Sequence, residues 1–219
     1  MFNKITASPL LVRVLPFALF AALTMLQGRL GPDSQYWVYA LKTALGAWCL
    51  WVMRPYVREM RWKFSWEAVV VGAGVFALWV GLDGHYPLLA ERSSGFNPSA
   101  AYGPGSLLAL FYIAVRTLGS TLVVPPLEEV FYRSFVYRYL VRPDFLGVPL
   151  RHFSVRALAI TAVVFGIGHF EWLPGILCAL AYQGLVLYKN RLGDAITAHA
   201  VTNLLLALWV VTRSQYQFW

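Results

Sequence analysis

Charge is what this chain has least of. Only 13% of its 219 residues are Asp, Glu, Lys or Arg, where a water-soluble domain carries about 25%. Acid is scarcer still, with ten Asp and Glu against eighteen Lys and Arg. With 59% hydrophobic residues and a mean hydropathy of +0.59 in place of the missing charge, an ordinary soluble globular domain is excluded. Cysteine occurs twice, at Cys49 and Cys178, each inside an apolar run. That excludes a disulfide framework and a cysteine-based metal site and leaves two small buried hydrophobes. No fixed-period repeat and no low-complexity tract is present, and no small-residue cleavage site follows the first apolar segment, which is therefore expected to stay in place as a membrane helix.

What is there instead is apolar length. Runs suited to a spanning helix, which needs about 20 apolar residues, fall at 9–27, 35–53, 66–82, 105–124, 127–141, 154–170, 172–189 and 194–212. Breakers separate them: Gly31-Pro32, Arg54-Pro55, Pro125-Pro126, Arg142-Pro143 and Gly193. The expected fold is all-α, a polytopic integral membrane bundle of about eight helices forming a single domain over 1–219. Its N-terminal helices and a polar loop (83–104) occupy 1–104, and 105–212 forms the core. The arginines cluster in short loops between apolar segments, the pattern of the positive-inside rule, so the net charge of +8 points to membrane orientation and not to nucleic acid. Loops 54–63 and 138–156 are both basic and belong on one side. They share a side only if 105–124 and 127–141 do not both span, so one of them is expected to stop short or re-enter near 125–141. Pro125-Pro126 is the expected break, since neither proline donates a backbone hydrogen bond.

Two adjacent glutamates, Glu128 and Glu129, follow that break, and Arg133 stands four residues after the second. On a helix Glu129 and Arg133 share a face at i and i+4, while Glu128 points about 100° away. An architectural ion pair needs only one glutamate. Two carboxylates at membrane depth, one held by an arginine and one turned elsewhere, suit a general base. Later segments supply its company. FGIGHFEW places His169 at the end of an apolar helix with Phe165 one turn before it and Gly166 and Gly168 thinning the backbone. AITAHAVTNLLL puts His199 and Asn203 at i and i+4. Each of these taken alone also fits helix packing by hydrogen bonds. Together they supply a carboxylate and an imidazole to activate water, and two side-chain donors for an oxyanion. His85 and His152 lie in polar loops and carry no functional expectation.

The motifs EExxxR (Glu128 to Arg133), FxxxH (Phe165 to His169) and HAxxN (His199 to Asn203), in this order in a polytopic chain, resemble the CAAX protease and bacteriocin-processing family. Its members are membrane-embedded relatives of the type II CAAX prenyl endopeptidase. The resemblance implies a glutamate-dependent intramembrane endopeptidase with no metal and no other cofactor. In it Glu128 activates water, His169 holds that water, His199 and Asn203 form the oxyanion hole, and Glu129 with Arg133 orients the site. It further implies a bacterial inner-membrane location, a membrane-associated peptide or protein as substrate, and the lipid bilayer as surroundings. Among bacterial members the chain is similar to the group that accompanies exosortase systems. A prenyl group is not expected on the substrate. HExxH is absent, although Leu82-Asp83-Gly84 is similar to the second motif of site-2 metalloproteases. By residue type alone Glu128, His169 and His199 are legitimate zinc ligands. Neither a GxGD pair nor a GxSG motif occurs. A non-catalytic binding or immunity protein on the same helices is the competing expectation. A proton-coupled carrier is disfavoured by the lack of a matching break in the first half.

Overall fold

The computed structural model describes residues 6–89 and 95–219. Among them the regular elements are helical: α1 Leu11–Leu26, α2 Ser34–Met53, α3 Trp66–Gly81, α4 Pro98–Tyr102, α5 Leu107–Val141, α6 Val155–Ile167, α7 Trp172–Lys189 and α8 Gly193–Arg213. Local chemistry sets several of the starts. Ser65, Ser106 and Ser154 each accept the backbone N–H three residues on, and Asn97 does so for the short α4, which satisfies a donor that the first helical turn leaves unpaired. Asn190 and Ser214 close α7 and α8 in the left-handed conformation. Helix α4 lies inside the expected loop 83–104, whose residues 90–94 fall outside the described part of the chain.

The expected interruption at Pro125-Pro126 does not occur. Segments 105–124 and 127–141 form one continuous helix of 35 residues, about 50 Å long at 1.5 Å per residue. The prolines are absorbed by π-helical turns at Gly119–Val123 and Val130–Val136. In the first, Val124 donates to Gly119 five residues back. This shift removes the usual partner of the Ser120 carbonyl, and the partner it would gain in the π register is Pro125, which has no N–H. The orphaned carbonyl is taken by a side chain from another helix, described below.

A single rod also removes the conflict between the basic loops. The carboxylate of Glu59, between α2 and α3, accepts from Arg13 at 2.7 Å and from Arg138 at 3.1 Å, and bonds the Ser134 hydroxyl. The start of α1, the 54–63 loop and the end of α5 therefore meet at one end of the bundle. Burial by itself would raise the Glu59 carboxyl, but the Arg13 guanidinium and the Ser134 hydroxyl outweigh it and hold it below the usual carboxylate range.

Two close helix contacts fix the core. Thr202 of α8 donates to the Gly72 carbonyl of α3 at 2.8 Å, and a Cβ at Gly72 would collide with the Ala198 carbonyl and Val201. On α6, a Cβ at Gly166 would lie 2.8 Å from the Trp172 carbonyl. Between them Tyr182, Val186, Leu192 and Ile196 are wholly buried. The outward faces are apolar, as at Leu107 (88% exposed), Trp66 (75%) and Trp51 (70%). Apolar exposure on this scale suits lipid and not water. By length and composition α5 and α8 suffice to cross a membrane, while α1, α3 and α6 are shorter apolar helices.

Candidate active site

Glu129 and Arg133 pair as their spacing predicts, Nη1 donating to Oε1 at 3.0 Å with both side chains fully buried. The same Oε1 receives His199, whose Nδ1 lies 2.9 Å away. Since a carboxylate only accepts, Nδ1 carries the proton and Nε2 is the ring atom left for other partners. Aromatic rings complete the enclosure: the Arg133 guanidinium lies 4.5 Å from the Phe165 centroid, and Tyr182 tilts against the His199 ring at 5.2 Å. Four helices, α5 to α8, thus enclose the Glu129–Arg133–His199 cluster, with α5 and α8 supplying the two donors to one oxygen of Glu129. Its other oxygen, and Nε and Nη2 of Arg133, have no hydrogen-bond partner among the described residues.

Glu128 is placed differently. It is half-buried, enters no ion pair among the described residues, and keeps its Oε2 without a partner. His169, also half-buried, donates from Nδ1 to the Phe165 carbonyl at 2.8 Å. That bond again fixes the tautomer and leaves a lone pair on Nε2. Phe165 and Trp79 flank the imidazole at 4.7 and 5.6 Å. No direct bond joins His169 to either glutamate. Tyr132 connects the two regions, standing one turn after Glu128 with its ring edge-on to Phe165 at 5.0 Å. A Cβ at Gly168 would lie 3.8 Å from its hydroxyl.

Asn203 points its amide at the carbonyl that the prolines orphan, with Nδ2 donating to Ser120 at 2.8 Å. One of its two N–H groups is thereby committed and the other remains. The sequence reading missed this anchor, because nothing local to HAxxN announces a carbonyl 83 residues upstream. It also passed over Tyr132 and Tyr182, and over Lys42 and Arg116, cations inside the runs 35–53 and 105–124 whose isolation among apolar residues was a usable signal.

Among the described residues no group of three or more His, Cys, Asp or Glu side chains stands close enough to hold a metal ion. A cavity of about 400 Å³ opens between α2 and α5, lined among others by Leu50, Trp51, Arg54, Met60, Trp62 and Pro126. None of the six motif residues borders it.

Residues 108–205 match the family model of the type II CAAX prenyl endopeptidase Rce1-like proteins. The match begins in α5, ends in α8 and contains all six residues. No curated protein and no solved structure matches the chain.

Proposed function

We propose, from the match of residues 108–205 to the type II CAAX prenyl endopeptidase Rce1-like family model, that the protein is a multi-pass intramembrane endopeptidase that hydrolyses its substrate with glutamate-activated water. The substrate class proposed is a membrane-associated peptide or protein. The observation that carries the reading is the contrast between two neighbouring carboxylates: Glu129 is wholly buried and held by Arg133 and His199, while Glu128 is only half-buried and enters no ion pair among the described residues. A group that must take a proton from water needs a carboxylate that is neither sealed off nor held by a cation, and a group that only orients others does not.

In this mechanism Glu128 takes a proton from water as the water oxygen attacks the scissile carbonyl carbon. The lone pair on His169 Nε2 accepts the water's other hydrogen and aims the attack. Negative charge gathers on the carbonyl oxygen, where the second N–H of Asn203 and Nε2–H of His199 receive it. For His199 to donate there while Nδ1–H is bound to Glu129, the ring must carry a proton on each nitrogen in that step. As the carbon–nitrogen bond breaks, Glu128 passes its proton to the leaving amine.

The test compares membrane-proteome termini by mass spectrometry in cells carrying the wild-type chain and cells carrying Glu128→Ala at equal levels. Termini present only with the wild type are expected, and chelators should leave their production unchanged. Identical termini in both, with the Glu128→Ala cells keeping the wild-type phenotype, would replace the protease by a binding or immunity protein.

A further inference from the structure

Two cations in the helical interior take no part in the site described so far. Lys42, in the middle of α2, is 4% exposed. Arg116, ten residues into α5, is half-buried, with its Nε shut off from solvent and without a hydrogen-bond partner. Among the described residues neither lies within ion-pair distance of an acid, since the paired carboxylates, Glu59, Glu67, Glu129, Asp144 and Asp194, all go to other cations.

Aromatic rings and one hydroxyl are what hold them. Lys42 Nζ donates to Thr24 at 2.9 Å and lies 4.7 Å from the centroids of Phe20 and Tyr39. The Arg116 guanidinium is 4.4 Å from the same Tyr39 ring and 5.1 Å from Phe96. One ring therefore serves two like charges. The Thr43 hydroxyl is shut off from solvent beside the Tyr39 hydroxyl, and a Cβ at Gly119 would touch both. Buried charges are normally paired, and two interior cations with no anionic acceptor among the described residues call for one.

The position of this cluster decides what that acceptor belongs to. Gly119 begins the π-helical turn whose next residue, Ser120, anchors Asn203, and the Glu128 carboxylate acts electrostatically on Lys42. The cluster thus adjoins the reaction centre and is separate from the basic end of the bundle, where Arg54 and Arg61 line the cavity between α2 and α5. We propose that Lys42 and Arg116 form an anion subsite of the active centre, which takes a carboxylate of the peptide substrate, an acidic side chain or the chain terminus. The enzyme would then select peptides bearing a carboxylate at a set distance from the cleaved bond. This inference rests on the protease reading above.

Its test uses the purified full chain in discs of zwitterionic lipid. The probe is a set of apolar octapeptides made in pairs that differ only in one carboxylate against the matching carboxamide, glutamate against glutamine or free terminus against amidated. The carboxylate member should bind the wild type about 10- to 100-fold more tightly, the scale of one to two charge-assisted hydrogen bonds. Lys42→Met and Arg116→Gln should abolish the preference and Lys42→Arg should retain most of it, with melting curves confirming that each variant is folded. Equal binding of acid and amide by the wild type would overturn the subsite. So would a preference that vanishes in discs containing phosphatidylglycerol, because a lipid phosphate would then be the anion. Carboxylate-selective binding with no cleavage, in wild type and Glu128→Ala alike, would sink the protease reading and leave the subsite standing.

Discussion

Replacing Arg133 with Met leaves the Glu129 carboxylate in a fully buried site with His199 as its only partner. Methionine keeps much of the packing over Phe165, so the change reports chiefly on charge. Removing one partner of a buried pair costs about 3–5 kcal/mol, because the remaining ion is stranded in a low dielectric. At roughly 2–4 °C per kcal/mol for a chain of this length, the melting temperature should fall by about 6–20 °C. Thermal melting in detergent, followed through the nine tryptophans, measures this directly. Adding Glu129→Gln removes the stranded charge while keeping a carbonyl oxygen for His199 Nδ1–H. The double variant should recover at least half of the lost stability and stay inactive, since neither the Glu129 carboxylate nor Arg133 remains to orient the site. An Arg133→Met protein that melts like the wild type, or a double variant no more stable than the single one, would refute the view that Glu129 is charged and neutralised by Arg133.

Three further outcomes follow from the same geometry. Asn203→Ala should lower turnover about 100- to 1000-fold and cost about 1–3 kcal/mol, because the Ser120 carbonyl loses its donor; Pro125→Ala, which restores an N–H in the π register, should return the stability without the activity. Glu59, with its carboxyl held below the ordinary range, contributes stability that is present above its unfolded pKa of about 4.3 and is lost as pH falls through the lower folded value. Melting temperature should therefore drop on acidification more steeply in the wild type than in Glu59→Gln, and parallel curves would contradict the assignment. Gly166→Ala should impair cleavage, since the new Cβ would sit 2.8 Å from the Trp172 carbonyl and push α6, with His169 at its end, away from α7. Gly184→Ala, where no atom lies within 4 Å, should change nothing.

Much of this protein is written locally. The serine caps before α3, α5 and α6 and the i, i+4 pairing of Glu129 with Arg133 involve residues three or four apart, and three- and four-residue spacings hold in any helix. The proline pair was harder to read. A proline's missing N–H is a local fact, but whether the helix ends there depends on whether some other group can satisfy the freed carbonyl. That group is Asn203, 83 residues further along the chain than the carbonyl it satisfies. The same distance explains why Lys42 and Arg116, separated by 74 positions, were not seen to share the Tyr39 ring.

The chain by itself determined an all-helical apolar bundle with a few costly charges inside it, because hydropathy and helical periodicity act within single segments. Only the tertiary structure decided that a second donor from a distant helix closes on the glutamate that Arg133 already holds. His199 comes from 70 residues away to the same oxygen that Arg133 holds, and one buried oxygen with two donors ties Glu129 down while its neighbour stays half-buried and outside any ion pair among the described residues.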